Sequence, residues 1–233
     1  MTDAHEVTTM TTPMIRMSPM SPIRALAAAA GLLLLAGCAS TGDAGPRWDS
    51  EVPESELTTL GEQAPSASTL YTMARLCASQ GRDAQSELVL GELVRVHPRF
   101  APGWVDLAEL LVRADRIDDA VRTLEAARVH HPADVVIVND LGVCQLLRGR
   151  TNEALALFTE ATALSPDDAR TRANMALALG LLGRGDEAAS LYGQFLPAST
   201  VHRNLAIAAE ARGDETRAAE ELARALELEQ QGL

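Results

Sequence analysis

The side chains that could do chemistry in this chain are its three cysteines and five histidines. His130 and His131 are adjacent, and His97 precedes a proline, which raises the hypothesis of a metal site. Adjacent residues point in different directions, however, and no cysteine or H-x-x-x-H partner lies near them in the sequence. No H-E-x-x-H, G-x-S-x-G, P-loop or G-x-G-x-x-G motif occurs, and the absence of lysine excludes Schiff-base chemistry. We therefore predict no enzyme, no metal and no cofactor.

Cys38 ends a segment of a different kind. An apolar run, Ala25 to Ala36, follows Arg24. Its length of about a dozen residues suits a signal peptide and falls short of the about 20 that a membrane-spanning helix needs. A buried helix of the mature domain is the alternative, but the run has no polar face.

The tetrapeptide Leu35-Ala36-Gly37-Cys38 resembles the lipobox of bacterial lipoproteins. This resemblance implies that residues 1–37 are a signal peptide that is cleaved, and that Cys38 then carries lipid. The following Ala39, which is not aspartate, implies sorting to the outer membrane, with the protein facing the periplasm. The translation start stays open between Met1 and a later methionine such as Met20, because acidic residues near Met1 are unusual in a signal peptide.

Residues 38–66 are predicted to be the lipidated cysteine and a flexible linker. Glycine, proline, serine and acidic residues dominate this stretch, which has no apolar periodicity. As a coil of this length it would span roughly 30 Å. Its Trp48 could dock on the domain or on the membrane surface, or remain solvated.

The formal net charge of −12 limits the partners. Phosphates and anionic lipid headgroups repel so acidic a chain, so we predict no nucleic-acid binding. We expect membrane association to come from the lipid at Cys38 alone, and the partner to be a protein.

From Ala67 onward the sequence repeats with a step of 34 residues. Small residues at this step let two helices approach closely, and proline ends a helix because it cannot continue one. Such a step is typical of helix-pair repeats. The members of three sets of residues stand 34 positions apart. The sets are the prolines Pro98, Pro132 and Pro166, the alanines Ala120, Ala154 and Ala188, and the bulky residues Leu124, Phe158 and Tyr192.

The pattern resembles the tetratricopeptide repeat (TPR), and the second unit matches it best, with Trp104, Leu107, Ala108 and Leu111 in its first helix. The resemblance implies an all-α, right-handed solenoid of about five helix-pair repeats over residues 67–233. The fourth unit is shortened. The predicted repeats are 67–100, 101–134, 135–168, 169–198 and 199–233.

Two cysteines remain after Cys38. An oxidising periplasm would permit a disulfide between Cys77 and Cys144. They fall on helices two repeats apart, however, beyond the roughly 7 Å that a disulfide allows between Cα atoms. We expect both to pack as small apolar residues.

The first helices of TPR units line a concave surface that usually binds an extended or helical peptide. The middle of the predicted groove is apolar and its ends are charged, which would suit a partner with hydrophobic anchors and some acidic character. The alternative for Leu177 and Leu181 is simple packing against an adjacent helix. The predicted groove residues are Tyr71, Arg75, Glu109, Arg113, Asn139, Val143, Leu177, Leu181, Arg203 and Ile207.

The anchor and the array together resemble the TadD family of Flp/Tad pilus assembly lipoproteins, with pilotin-like TPR lipoproteins as a second choice. The resemblance lies in the runs 139–143 (NDLGV), 172–180 (RANMALALG) and 202–206 (HRNLA) and in the short fourth unit before the last. It implies a periplasmic factor that helps a secretin channel assemble or localise. A general adaptor for envelope proteases or cell-wall enzymes is the alternative.

Overall fold

The computed structural model describes residues 65–231, which form ten α-helices and no β-strand. The predicted signal peptide, Cys38, Trp48 and the rest of the linker up to residue 64 lie outside the described residues. The all-α prediction is confirmed for the described part of the chain. The helices are α1 Ala67–Ser79, α2 Asp83–Val96, α3 Ala101–Arg113, α4 Ile117–His130, α5 Val135–Leu147, α6 Thr151–Leu164, α7 Ala169–Leu181, α8 Gly185–Tyr192, α9 Ala198–Ala211 and α10 Glu215–Gln230.

Each helix packs on the next one along the chain, and the array therefore consists of five successive pairs. The odd-numbered helices α3, α5, α7 and α9 also contact one another in sequence, so they form one continuous layer. Three apolar clusters follow each other through this array, from α1 to α5, from α5 to α7 and from α7 to α9. The core is therefore extended along the array.

The turn inside each pair has the same geometry. The N–H of the first residue after the turn bonds, at 2.9 Å, to a carbonyl five residues earlier, as from Arg82 to Cys77 and from Arg116 to Leu111. This bond closes the end of a helix and needs a left-handed residue just before it. Glycine takes that position in four pairs with φ of 70–80°, and Asp115 takes it in the second pair with φ of 58°.

Several odd-numbered helices begin at a side chain that accepts backbone N–H groups. Ser66 accepts from Thr69 at the start of α1, and Asp168 accepts from Arg170 at the start of α7. Such caps satisfy donors that have no partner within the helix. They mark where α1, α5 and α7 begin.

Small residues allow the two helices of a pair to approach each other closely. Ala120, Ala154 and Ala188 are fully buried. At Gly142 of α5, a Cβ atom would lie 2.6 Å from the ring of Phe158 on α6, so these two helices meet too closely for any side chain at that position.

The fourth pair differs from the others because α8 has eight residues, whereas α2, α4 and α6 have 14 each. The chain then turns, and Phe195 contacts the Tyr192 ring edge-on at 6.2 Å between centroids. The guanidinium of Arg172, from α7, lies 4.9 Å from the centre of the Phe195 ring. A cation over an aromatic face thus occupies the region where α8 ends early.

Candidate functional site

The candidate binding surface, here called the A-helix surface, is the layer formed by α1, α3, α5, α7 and α9. All ten residues predicted to line the groove lie on these five helices. The structure does not treat them alike: it exposes some of them, leaves others half-buried and buries Asn139.

The N-terminal end of the A-helix surface is a polar cluster built on Tyr71. The Tyr71 ring packs edge-on against Phe100 at 5.2 Å, and the Arg75 guanidinium lies 5.8 Å from the Tyr71 ring centre. The Tyr71 hydroxyl donates a hydrogen bond to the carboxylate of Asp106 on α3. Burial raises the pKa of Asp106, while this hydrogen bond and the charges of Arg75 and Arg113 oppose the shift. Side chains of α1 and α3 are thereby brought together.

Two of the predicted arginines have acidic partners within the chain. Arg113 pairs with Glu109 one helical turn earlier at 2.8 Å, and Arg203 pairs with Glu229 of α10. These exposed pairs are worth little to stability, but they reduce the positive charge offered to a partner. An acidic partner is therefore less favoured than the sequence alone indicates.

Buried amides connect the centre of the A-helix surface. Asn139, which we expected in the groove, is 1% exposed, and Asn174 on α7 is 2% exposed. The Asn174 Nδ2 donates to the Asn139 Oδ1 at 2.8 Å, and the Asn139 Nδ2 donates to the Asp140 Oδ1 at 3.0 Å. Asn139 therefore holds α5 against α7 and orients Asp140, while it offers almost no surface of its own.

Among the carboxyl groups of this surface, Asp140 has the pKa that departs most from its ordinary value. Burial raises its pKa to about 6, against the charge of Arg170 and the hydrogen bond from Asn139, which both lower it. Asp106 and Asp140 were not among the groove residues predicted from the sequence. A signal was present, because Asp106, Asp140 and Asn174 are related by the 34-residue step and so occupy one helix position.

The apolar floor of the surface consists of Val143, Leu177 and Leu181. All three are half-buried. They pack against a cluster that includes Leu146 and Phe158. One side of each of Leu177 and Leu181 is therefore core, and the other side is accessible, while their role in partner binding stays a prediction. At the C-terminal end, Ile207 is 38% exposed.

Three histidines contact neighbouring residues of the array, and the two described cysteines form no disulfide. The Nε2 atoms of His97 and His131 bond the carbonyl oxygens of Pro65 and Pro98, at 2.9 and 3.2 Å. His130 stacks on Trp104. Among residues 65–231, no group of three or more metal-ligating side chains comes together. Cys77 and Cys144 are free, and burial raises the pKa of the Cys144 thiol to about 12.

Within the same range, none of the helices has the length and apolar character needed to cross a membrane.

Two family models match part of the array. Residues 105–169 and 145–200 match two family models, each described as a tetratricopeptide repeat. The array also resembles solved structures at 16–22% sequence identity, which shows the fold alone.

Two of these structures illustrate the likeness. MamA from Desulfovibrio magneticus RS-1 has a TM-score of 0.58 and 17% identity, over 72% of this chain and 97% of the other. YrrB, described as a TPR protein with an unusual peptide-binding site, has a TM-score of 0.57 and 17% identity, over 74% of this chain and 91% of the other.

A relative in sequence is the protein y4yS of Sinorhizobium fredii (strain NBRC 101917 / NGR234), described as uncharacterized. It is 27% identical over 166 residues, which are 70% of this chain and 85% of the relative.

Proposed function

We propose that this chain, an array of tetratricopeptide-like helix pairs, is a lipid-anchored periplasmic scaffold that binds a segment of another protein on its A-helix surface. The observation that carries the proposal is the half-exposed apolar floor of Val143, Leu177 and Leu181, which lies between two ends that bear charged side chains. Repeat arrays of this kind are protein-interaction scaffolds, and nothing in the described residues indicates catalysis.

The chemistry of the floor indicates what kind of segment would bind. Because Arg113 and Arg203 are paired within the chain, apolar anchors contribute most of the binding, and polar groups adjust its register. A helical or extended segment with apolar side chains on one face meets this description.

The proposed lipid anchor determines where in the cell envelope the scaffold is held. In this proposal residues 1–37 are removed, Cys38 carries lipid, residues 38–66 link it to the domain, and the repeats begin at residue 67. The lipid would hold the protein at the outer membrane, facing the periplasm. A site tethered in this way meets other proteins of the same membrane at a raised effective concentration.

The more specific role that we propose is assistance to assembly or secretin localisation of a Flp/Tad-type pilus or secretion system. It is supported by the runs at 139–143, 172–180 and 202–206 and by the short fourth unit, which resemble TadD. The alternative is a general adaptor for envelope proteases or cell-wall enzymes, and the partner recovered experimentally would distinguish the two.

The test is capture of the partner from membranes of a strain that expresses a secretin. The variant Leu177→Glu with Leu181→Glu places two charges on the apolar floor, and Ile207→Glu places one on α9, where that side chain is already 38% exposed. The matched control is Val129→Glu on α4, which lies outside the layer and is 78% exposed.

We expect the wild-type chain and Val129→Glu to recover the secretin, and the two groove variants to lose it while their helical circular dichroism is retained. Unfolding of the double variant alone would show that its leucines act as core, and Ile207→Glu would then decide. Full capture by a folded Ile207→Glu and a folded double variant would overturn the binding surface. Capture of an envelope enzyme in place of a secretin would favour the adaptor role.

A further inference from the structure

The last helix of the array, α10, has an apolar face that the other described residues leave half-exposed. Leu222 and Leu226 on this face are 47% and 49% exposed. The turn glycines Gly183 and Gly213 stand 30 residues apart, and the earlier pairs repeat with a step of 34. By these steps, the residues equivalent to Leu222 are at most 4% exposed; they are Leu90, Leu124, Phe158 and Tyr192. Each of them belongs to a pair that is followed by another odd-numbered helix, whereas α10 is followed by none among the described residues.

The first helix, α1, exposes the other half of such a junction between pairs. Its Met73 is 49% exposed and its Leu76 is 56% exposed. The residues equivalent to Leu76 are at most 4% exposed; they are Leu110, Cys144, Ala178 and Ala208. Each of α3, α5, α7 and α9 packs on the second helix of the pair before it, and α1 has no such neighbour within residues 65–231.

The junction between α6 and α7 shows which side chains meet where two pairs join. Thr162 Oγ1 of α6 lies 3.9 Å from Sδ of Met175 of α7. The residue equivalent to Thr162 in α10 is Leu226, and the residue equivalent to Met175 in α1 is Met73. Leu226 and Met73 therefore occupy the two sides of a contact that is made inside the array.

The start of α1 is also built like the start of α7. Thr171 in α7 donates to its cap Asp168 at 2.6 Å, and the Thr171 side chain is fully buried. At the equivalent positions of α1, the hydroxyl groups of Ser66 and Thr69 bond at 2.8 Å, and Thr69 is exposed. The helix α1 therefore presents to solvent the kind of surface on which α7 receives α6.

The two faces also carry opposite charge. The helix α1 contains one arginine, Arg75, and no acidic residue, whereas α10 contains five glutamates and two arginines. Opposite net charges speed the encounter of two faces, and like charges disfavour the contact of a face with its own copy. The charge of α10 is therefore suited to α1 and not to another α10.

We propose that α10 of one copy of this chain packs on α1 of a second copy, so that the array continues from one chain into the next. Leu226 then lies against Met73 of the second copy, and Leu222 and Leu76 are covered in the same contact. Arrays of this kind are held together by contacts between neighbouring repeats alone, so a pair from another chain can supply the missing neighbour. The apolar contact uses none of the ten predicted groove residues and does not depend on what the A-helix surface binds.

The two faces of this contact are different, so a pair of copies still exposes one α1 face and one α10 face. Association can therefore continue beyond two copies. For the same reason, contact can be restored between two variants that each retain a different intact face.

The test uses the full chain in two forms that carry different affinity tags, produced together and extracted in a mild detergent. The α10 variant carries Leu222→Glu and Leu226→Glu, and the α1 variant carries Met73→Glu and Leu76→Glu. Each substituted side chain is about half-exposed, and circular dichroism checks that each variant is folded. The matched control is Leu88→Glu on α2, which is 75% exposed and lies on neither face.

One tag is captured, and the copy with the other tag is measured by immunoblot. We expect wild-type copies, and copies that both carry Leu88→Glu, to be recovered together. When both copies are the α10 variant, or both are the α1 variant, we expect recovery to fall about tenfold or more, because each contact would bury unpaired glutamates. One copy of each variant should restore recovery, since an intact α1 face then meets an intact α10 face.

Absence of joint recovery for wild-type copies would overturn the proposal. So would undiminished recovery when both copies are the same variant, because the copies would then associate through another surface or share a micelle. Failure of the mixed pair would show contact between like faces, and an effect of the α10 variant alone would show that the chain before Pro65 covers α1. Either result would overturn the contact between α10 and α1. If the α1 variant unfolds, Leu76→Glu alone replaces it.

Discussion

Asn139 and Asn174 hold two layer helices together by a buried hydrogen bond of 2.8 Å between their amide groups. The residues are 35 positions apart in sequence and stand on α5 and α7. Because both side chains are almost fully buried, neither has water as an alternative partner. The centre of the A-helix surface thus depends on a polar contact between neighbouring pairs.

Removing one amide of this bond should destabilise the array. Asn174→Ala leaves the Asn139 Oδ1 buried without that donor, and we expect a loss of about 1–3 kcal/mol in the free energy of unfolding. Urea denaturation followed by circular dichroism measures it. Asn152→Ala, at the exposed start of α6, is the control and should change the free energy by less than about 0.5 kcal/mol. An unchanged denaturation midpoint for Asn174→Ala would contradict the assigned role.

A methyl group at Gly142 should have a comparable effect for a steric reason. The added Cβ would meet the Phe158 ring at 2.6 Å, and we expect Gly142→Ala to lose about 1–3 kcal/mol of stability. Gly91→Ala in α2 is matched to it, because nothing lies within 4 Å of its added Cβ. That change should stabilise by about 0.5–1 kcal/mol. Equal thermal midpoints for the two variants would disprove the close approach of α5 and α6.

Asp140 should make stability depend on pH. Its pKa rises from the ordinary 3.8 to about 6 in the folded chain, so the folded state binds the proton more tightly than the unfolded state does. Stability from this group is therefore present below about pH 4 and is lost as the pH rises through about 6.

The substitution Asp140→Asn removes this dependence. We expect the difference in unfolding free energy between pH 4.5 and 7.5 to change by about 1–2 kcal/mol, with the variant gaining stability at the higher pH. Urea titrations at both pH values measure the change. Asp167→Asn, an exposed residue just before α7, serves as the control. Parallel pH profiles for wild type and Asp140→Asn would show that burial of the carboxylate carries no penalty.

Cys38→Ser tests the anchor. If lipid at this residue is what holds the chain at the membrane, the variant should move to the soluble fraction with unchanged helical circular dichroism, because each CH₂ of a buried acyl chain contributes about 0.8 kcal/mol to membrane binding. Fractionation and immunoblotting measure the distribution. Retention of Cys38→Ser with the membranes would contradict the lipobox interpretation.

The sequence predicts the helix pairs well because one 34-residue step places small residues, prolines and turn glycines at fixed points of each unit. It predicts the role of individual groove residues less well. Asn139 is buried because α7 brings Asn174 against it, and that contact depends on how neighbouring pairs stack. The pairing of Arg203 with Glu229 likewise depends on how α10 lies beside α9. Phe195 meets Arg172 only because α8 ends early.

The turn at Asp115 bears on how this sequence can evolve. Four of the five turns already carry glycine, and Asp115 adopts the left-handed conformation with a Cβ atom. Aspartate tolerates this region at a cost of about 1 kcal/mol. A single-nucleotide change converts an aspartate codon into a glycine codon. The second turn is therefore one nucleotide away from the residue that the other four turns carry.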